Sequence, residues 1–230
     1  MKSLLLCFFL GFIAYGRQPA ARVPITANDL AIEVKGASRE VAYTNKQAGV
    51  FYTETNAAHR SAWQGWRVMS KEIMEDYALE IDGVDLRRSD IVRALVYPHQ
   101  LVREYPGGLR ETVTLLDSIN AIVVRLDSVM GNHVELRPIF SDLHSEEDVT
   151  MRAQPGSLLI GRNDHLTVSP GAQYPGWISL TVMPWASFAL SMYEGKEYGR
   201  NYSPAALRSG AKNTRYTFVI VAGESGAAAA

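Results

Sequence analysis

The chain has 230 residues, 47% of them hydrophobic and 20% charged, with a formal net charge of −1. That size fits one large β domain, and that balance supplies a sizeable core. The near-zero charge argues against a non-specific nucleic-acid binder, which needs a basic face to neutralise phosphates.

The first element in chain order is a targeting segment. Lys2 provides a positive charge, Leu4 to Ile13 is an apolar run, and Ala14-Tyr15-Gly16 has the small-x-small form of a cleavage site before Arg17. The run falls short of the ~20 residues that span a bilayer. Residues 1–16 are therefore expected to be a secretory signal peptide, directing the chain to the periplasm or outside the cell. Its removal takes away Cys7, the one cysteine, and leaves neither disulfide nor thiol nucleophile.

Most of the chain beyond Arg17 reads as strand. Ala31–Val34, Val50–Thr55, Thr112–Leu116, Ala121–Asp127, His133–Phe140, Ser157–Ile160, His165–Val168, Trp177–Met183, Ser187–Tyr193 and Tyr216–Val221 are rich in β-branched and aromatic residues. Gly, Pro, Asn or Asp separates most of them, often at a spacing of about 8–12 residues, which is the pattern of a sandwich or barrel. Pro106-Gly107-Gly108 marks a hairpin bend between Glu104 and Glu111. Met69–Tyr77 and Arg87–Ala94 are predicted as short helices. The pairs and runs of like charge at Arg87-Arg88 and Glu146-Glu147-Asp148 read as solvated. The predicted fold is all-β, a large two-sheet antiparallel supersandwich over residues 17–222, followed by a small-residue, linker-like or truncated tail at 223–230.

The familiar catalytic motifs do not occur. Gly223-Glu224-Ser225-Gly226 lacks the spacing of a nucleophile elbow, and no Walker or dinucleotide-binding glycine pattern is present. His59, His99, His133, His144 and His165 stand at no metal-ligand spacing, and His144 with Glu146 and Glu147 reads as a solvated turn. No cofactor and no metal is expected. Two segments do have the composition of sugar-facing loops. In Ala57-Ala58-His59-Arg60-Ser61-Ala62-Trp63-Gln64-Gly65-Trp66, Trp63 and Trp66 offer ring faces to stack on a sugar, and Arg60 and Gln64 offer donors to its hydroxyls. Around residues 193–204, Glu194, Glu197 and Arg200 are interleaved with Tyr193, Tyr198 and Tyr202. Core packing of the tryptophans and ordinary loop polarity are the competing readings.

The order of these segments resembles the N-terminal domain of bacterial glycogen-debranching enzymes of the amylo-α-1,6-glucosidase type. Thr44-Asn45-Lys46-Gln47-Ala48-Gly49-Val50-Phe51-Tyr52 is similar to that family's opening Thr-Asn…Gly-aromatic segment. Arg60…Trp63-Gln64-Gly65 is similar to its Arg…aromatic-His-Gly element, Glu135-Leu136-Arg137-Pro138…His144 to its Leu-Arg-Pro element, and Tyr193…Glu197-Tyr198-Gly199…Ser203-Pro204 to its Tyr…Glu…Gly…Ser-Pro segment. The resemblance covers most of residues 30 to 222. It departs at Gln64, where the family has His, and in the spacing of that segment. It implies a sandwich that binds or positions an α-glucan or oligosaccharide, with the catalytic acids in a separate barrel of paired helices that nothing in this chain resembles. The substrate-binding candidates are then Arg60, Trp63, Gln64, Trp66, Glu197 and Arg200, none of them catalytic. The spacing of Glu194 and Glu197, three apart, does not by itself place acids on opposite sides of a bond, as glycoside hydrolysis requires. The alternatives are a free-standing carbohydrate-binding or structural sandwich, and a sandwich-type epimerase pairing His133 or His144 with Glu194. No nucleic-acid partner is expected, nor a membrane one after signal removal.

Overall fold

The computed structural model describes residues 25–57, 64–69, 71–140, 149–154, 157–162, 177–183, 187–194, 202–209 and 212–223. The expected signal segment, the tail beyond Gly223 and the strand expected at His165–Val168 lie outside these residues.

The described chain is all-β, with antiparallel pairing throughout and three single-turn 3₁₀ segments at Ala27–Leu30, Arg88–Asp90 and Pro106–Gly108. The strands are β1 (Ile32–Val34), β2 (Glu40–Thr44), β3 (Gly49–Glu54), β4 (Gly65–Val68), β5 (Lys71–Met74), β6 (Asp76–Ile81), β7 (Val84–Asp85), β8 (Arg93–Val96) and β9 (Leu101–Glu104). They continue as β10 (Arg110–Leu115), β11 (Ala121–Asp127), β12 (Val134–Ile139), β13 (Val149–Gln154), β14 (Ser157–Arg162), β15 (Trp177–Met183), β16 (Ser187–Glu194), β17 (Tyr202–Arg208) and β18 (Arg215–Gly223).

They form a nine-stranded sheet in the order β1-β8-β9-β10-β11-β18-β15-β14-β13, a five-stranded sheet β16-β17-β12-β6-β7 and a four-stranded sheet β2-β3-β4-β5. The two smaller sheets meet at a seam. Only Glu75 separates β5 from β6, and its amide donates to the Ile139 carbonyl at 2.8 Å. One hydrophobic core joins all three sheets, with Ile122, Val124, Phe218 and Tyr216 from the large sheet and Phe51, Trp66, Leu79 and Leu136 from the smaller ones.

The pleat explains this division. In β18 the buried Tyr216, Phe218 and Ile220 alternate with more exposed neighbours, and they stand in register with Leu126, Val124 and Ile122 of β11. The Pro106 bend forms as expected: Gly107 and Gly108 adopt φ of 77° and 83°, which a side chain would strain. Both predicted helices are overturned. Met69, at φ 50°, reverses the chain between β4 and β5, so 69–77 becomes a turn followed by β5 and the start of β6. Only Arg88–Asp90 of the second makes a turn, and the chain then extends through Ile91 and Val92 into β8. Arg88 itself is 3% exposed, so it is not solvated.

Candidate functional site

The tryptophan-bearing segment leaves β3 at Glu54 and returns at Gln64, just before β4. Both ends are fixed by buried polar groups. Thr55 and Gln64 are each 0% exposed. Gln64 Nε2 donates to Glu54 Oε1 at 2.9 Å, and Ser38 Oγ donates to Glu54 Oε2 at 2.6 Å. Thr55 Oγ1 accepts the Arg39 amide at 2.9 Å. Gln64 therefore spends its amide inside the protein and is not a surface donor to a sugar. Trp66 is likewise corrected: it is 0% exposed, packed in the core opposite Met74, and offers no ring face to a ligand. Gly65 before it has φ 113°, and a Cβ there would lie 2.8 Å from the Met74 carbonyl. Arg60 and Trp63 lie outside the described residues, as do Glu197 and Arg200.

A fully buried arginine reaches this loop base from the opposite sheet. Arg103 of β9 donates from Nε to the Thr55 carbonyl and from Nη2 to the Glu54 carbonyl, both at 2.7 Å, and from Nη2 to Thr53 Oγ1 at 3.3 Å. Its Nη1 meets Glu111 Oε1 at 2.9 Å and the Tyr77 hydroxyl at 3.2 Å. Glu111 also accepts from the hydroxyls of Tyr77 and, at 2.7 Å, Tyr105. Beside them Arg88 forms a bidentate pair with Asp76, and its Cζ sits 4.9 Å from the Tyr77 ring centre.

The electrostatics follow from this packing. Burial alone raises the Glu111 pKa, but the Arg103 and Arg88 charges and the two tyrosine donors outweigh it and hold the carboxyl below the usual range. Burial, then the Glu111 charge, pushes the Tyr77 and Tyr105 hydroxyls well above their ordinary value. Burial likewise lifts Tyr43, partly opposed by Arg103, to about 12. This cluster is a tie between sheets, with each charge met by a partner.

Two of the sequence motifs also resolve into architecture. Asn45 locks the β2–β3 turn: its Oδ1 accepts the Gln47 and Gly49 amides at 3.0 and 2.7 Å. Its Nδ2 reaches the Leu116 and Ile119 carbonyls and Asn120 Oδ1, each at 3.1 Å, tying this turn to the β10–β11 turn. On β12, Glu135 stands opposite Glu80 of β6, a like-charge pairing that Arg137 relieves by contacting Glu80 at 2.9 Å and Glu135 at 2.7 Å. Arg208 of β17 reaches Glu135 at 2.5 Å and remains 47% exposed.

No family model matches this chain. No curated protein matches it either. Among solved structures it is similar to a kojibiose phosphorylase from the human microbiome, at 8% identity and a TM-score of 0.34, over 84% of this chain and 25% of that one. It is also similar to a bacterial glucoamylase complexed with acarbose, at 11% identity and a TM-score of 0.35, over 86% of this chain and 36% of that one. The chain thus spans well under half of either structure.

The histidine–carboxylate pairings that epimerase chemistry would need divide. Ser187 and Glu194 close opposite ends of β16, with Ser187 in register with Arg208 and Arg208 with Glu135. His133 precedes β12 at the Ser187 end, so it stands roughly 25–30 Å from Glu194 at strand spacing. That separation rules out a shared proton-transfer pair. His144 lies outside the described residues. Sequence reasoning missed Arg103, Glu111, Asp76 and Glu80. The first two were accessible to it, because a hairpin about Pro106-Gly107-Gly108 places Arg103 opposite Glu111.

Proposed function

We propose that this chain is an exported, non-catalytic β-sandwich domain of a glycogen-debranching type of glycoside hydrolase, which binds or positions an α-glucan beside a helical catalytic barrel. The observation that carries this reading is the base of the loop between Thr55 and Gln64. The segment containing Arg60 and Trp63 begins and ends on residues with no exposure, and a buried arginine from the opposite sheet holds the carbonyls at its start. Fixed ends lower the ordering cost of a contact made by the segment between them. Arg60 and Trp63, with Glu197 and Arg200, are then the groups that meet the glucan, while Gln64 and Trp66 hold the loop from inside. The motif resemblance supplies the ligand class.

The chain contributes binding and leaves bond cleavage to the barrel. Glu194 and Glu197 lie three residues apart in one segment, and that spacing does not by itself place two acids on opposite sides of a glycosidic bond. Glucose release from limit dextrin and from an isomaltose-type substrate by the purified chain tests this. No release above buffer is the expected outcome. Turnover that Glu194→Gln or Glu197→Gln abolishes overturns the non-catalytic reading. For the signal segment, mass spectrometry of exported protein is expected to find an N-terminus near Arg17, and intact Met1 on cytosolic protein contradicts it.

A further inference from the structure

The outer face of the nine-stranded sheet carries a compact cationic block. Arg110, Asp127 and Arg215 form one cross-strand row on β10, β11 and β18, and Thr112, Arg125 and Thr217 form the next. Residues in register share a face of the sheet, so these six side chains lie on one face, with Arg125 and Arg215 the most exposed. With strands about 4.8 Å apart and alternate residues ~7 Å apart, the block measures roughly 10 by 7 Å, the footprint of one sugar ring.

Its charges do not cancel. Asp127 is the lone acid among three guanidinium groups, and it is occupied: Arg215 Nε reaches Oδ1 at 2.5 Å and Arg125 Nε reaches Oδ2 at 2.9 Å. On the other flank, Glu104 is opposite Arg110 in register but pairs with Arg93 at 2.6 Å. Arg110 has acids on both sides and forms no side-chain hydrogen bond or ion pair among the described residues; its Nε is buried and unmatched. Thr112, next to it on the same face and 4% exposed, also has a hydroxyl without a partner. Buried donors left unmatched cost free energy that an incoming acceptor returns. An open cleft of about 930 Å³ borders the block, lined by Asp127, Arg215 and Thr217 and by the exposed apolar Met130.

We propose that this face binds an anionic sugar, with the carboxylate, sulfate or phosphate group of the ligand held by Arg110, Arg125 and Arg215 and its ring lying toward Met130, which is 83% exposed. Three guanidinium groups around one carboxylate favour an anion, and planar guanidinium forks match carboxylate and oxyanion geometry. The Thr217 hydroxyl, which lines the cleft, adds a polar partner for a polyhydroxylated ligand. The site is separate from the loop of the α-glucan reading and does not depend on it.

Titration of the intact chain by calorimetry with glucuronate, glucose 6-sulfate and glucose 6-phosphate, against glucose and inorganic sulfate, is the test. All or some of the three anionic sugars are expected to bind, and which of them binds identifies the anionic group; glucose is expected not to bind. Raising NaCl from about 50 to 300 mM is expected to weaken binding several-fold. Arg110→Gln is expected to weaken it about tenfold or more, the usual cost of a lost charged hydrogen bond. Arg215→Gln, at a side chain 70% exposed, is expected to reduce affinity without affecting folding, and it carries the test if Arg110→Gln does not fold. Glucose binding as tightly as its anionic counterparts, unchanged affinity in the folded variants, or no binding by any anionic sugar overturns the proposal. Equal affinity for inorganic sulfate reduces the site to an adventitious ion only and overturns it as well.

Discussion

Replacing Arg103 with Met removes the guanidinium and keeps a long apolar stem. In the structure that group donates to Thr55, Glu54, Thr53, Tyr77 and Glu111, all at 2.7–3.3 Å and with Arg103 0% exposed. Removing one member of a buried ion pair costs about 3–5 kcal/mol, because the remaining charge is uncompensated. The Glu54 and Thr55 carbonyls lose a donor as well, at ~1–3 kcal/mol each before relaxation and water entry recover part of it. A net loss of about 5 kcal/mol is expected, a large fraction of the ~5–15 kcal/mol that folded domains possess. Urea unfolding measures it as a fall in midpoint at constant slope. The double variant Arg103→Met with Glu111→Leu removes both charges, and it is expected to be more stable than the sum of the single losses predicts, with a coupling of at least about 2 kcal/mol. If Arg103→Met does not fold, Arg103→Lys keeps the charge, loses the fork and is expected to be intermediate. A loss below about 1 kcal/mol, or additive single and double variants, refutes the role assigned to this tie.

Gly49→Ala brings a Cβ to 2.8 Å from both Asn45 Oδ1 and Asn120 Oδ1, and is expected to cost about 1–3 kcal/mol in the same unfolding assay. Trp66→Ala is expected to cost about 3–5 kcal/mol as a core truncation, visible as a lower unfolding midpoint. Alkaline pH is expected to destabilise the fold: Tyr77 and Tyr105 have raised folded-state pKa values, so their contribution is complete below pH ~10 and is lost as pH rises through the folded values. Acid acts through Glu111 with the opposite sign. Its lowered folded-state pKa contributes stability above the ordinary carboxylate value, lost as pH falls through the depressed one, and denaturant midpoints across pH 2–5 check this.

The strands legible in the sequence are those where β-branched and apolar residues are dense. Ala121–Asp127 and Trp177–Met183 have the boundaries their composition suggests, because turn residues or prolines flank them. The less legible strands are short and carry charge. Asp76, Glu80, Arg103 and Glu111 sit in strands but point at partners on other elements, so their alternation with apolar residues resembles a helix face or a solvated edge. Arg88 reads as solvated beside Arg87 because its partner, Asp76, is twelve residues away and comes close only once β6 forms. The same limit governs the binding candidates. A tryptophan two residues into a strand and one before it look alike in composition, yet the pleat sends Trp66 to the core, whereas Gln64 is drawn inward by Glu54, a contact no local pattern encodes.

The central claim, that this sandwich binds an α-glucan through the loop between Thr55 and Gln64, is tested most directly by a malto-oligosaccharide titration of the wild-type chain and Trp63→Ala, with unfolding midpoints measured in parallel. Binding by the wild type is expected, weakened in Trp63→Ala by an amount on the order of 1–3 kcal/mol, about 5- to 150-fold, with the midpoint unchanged. No binding by the wild type, or identical isotherms for the two folded proteins, contradicts it.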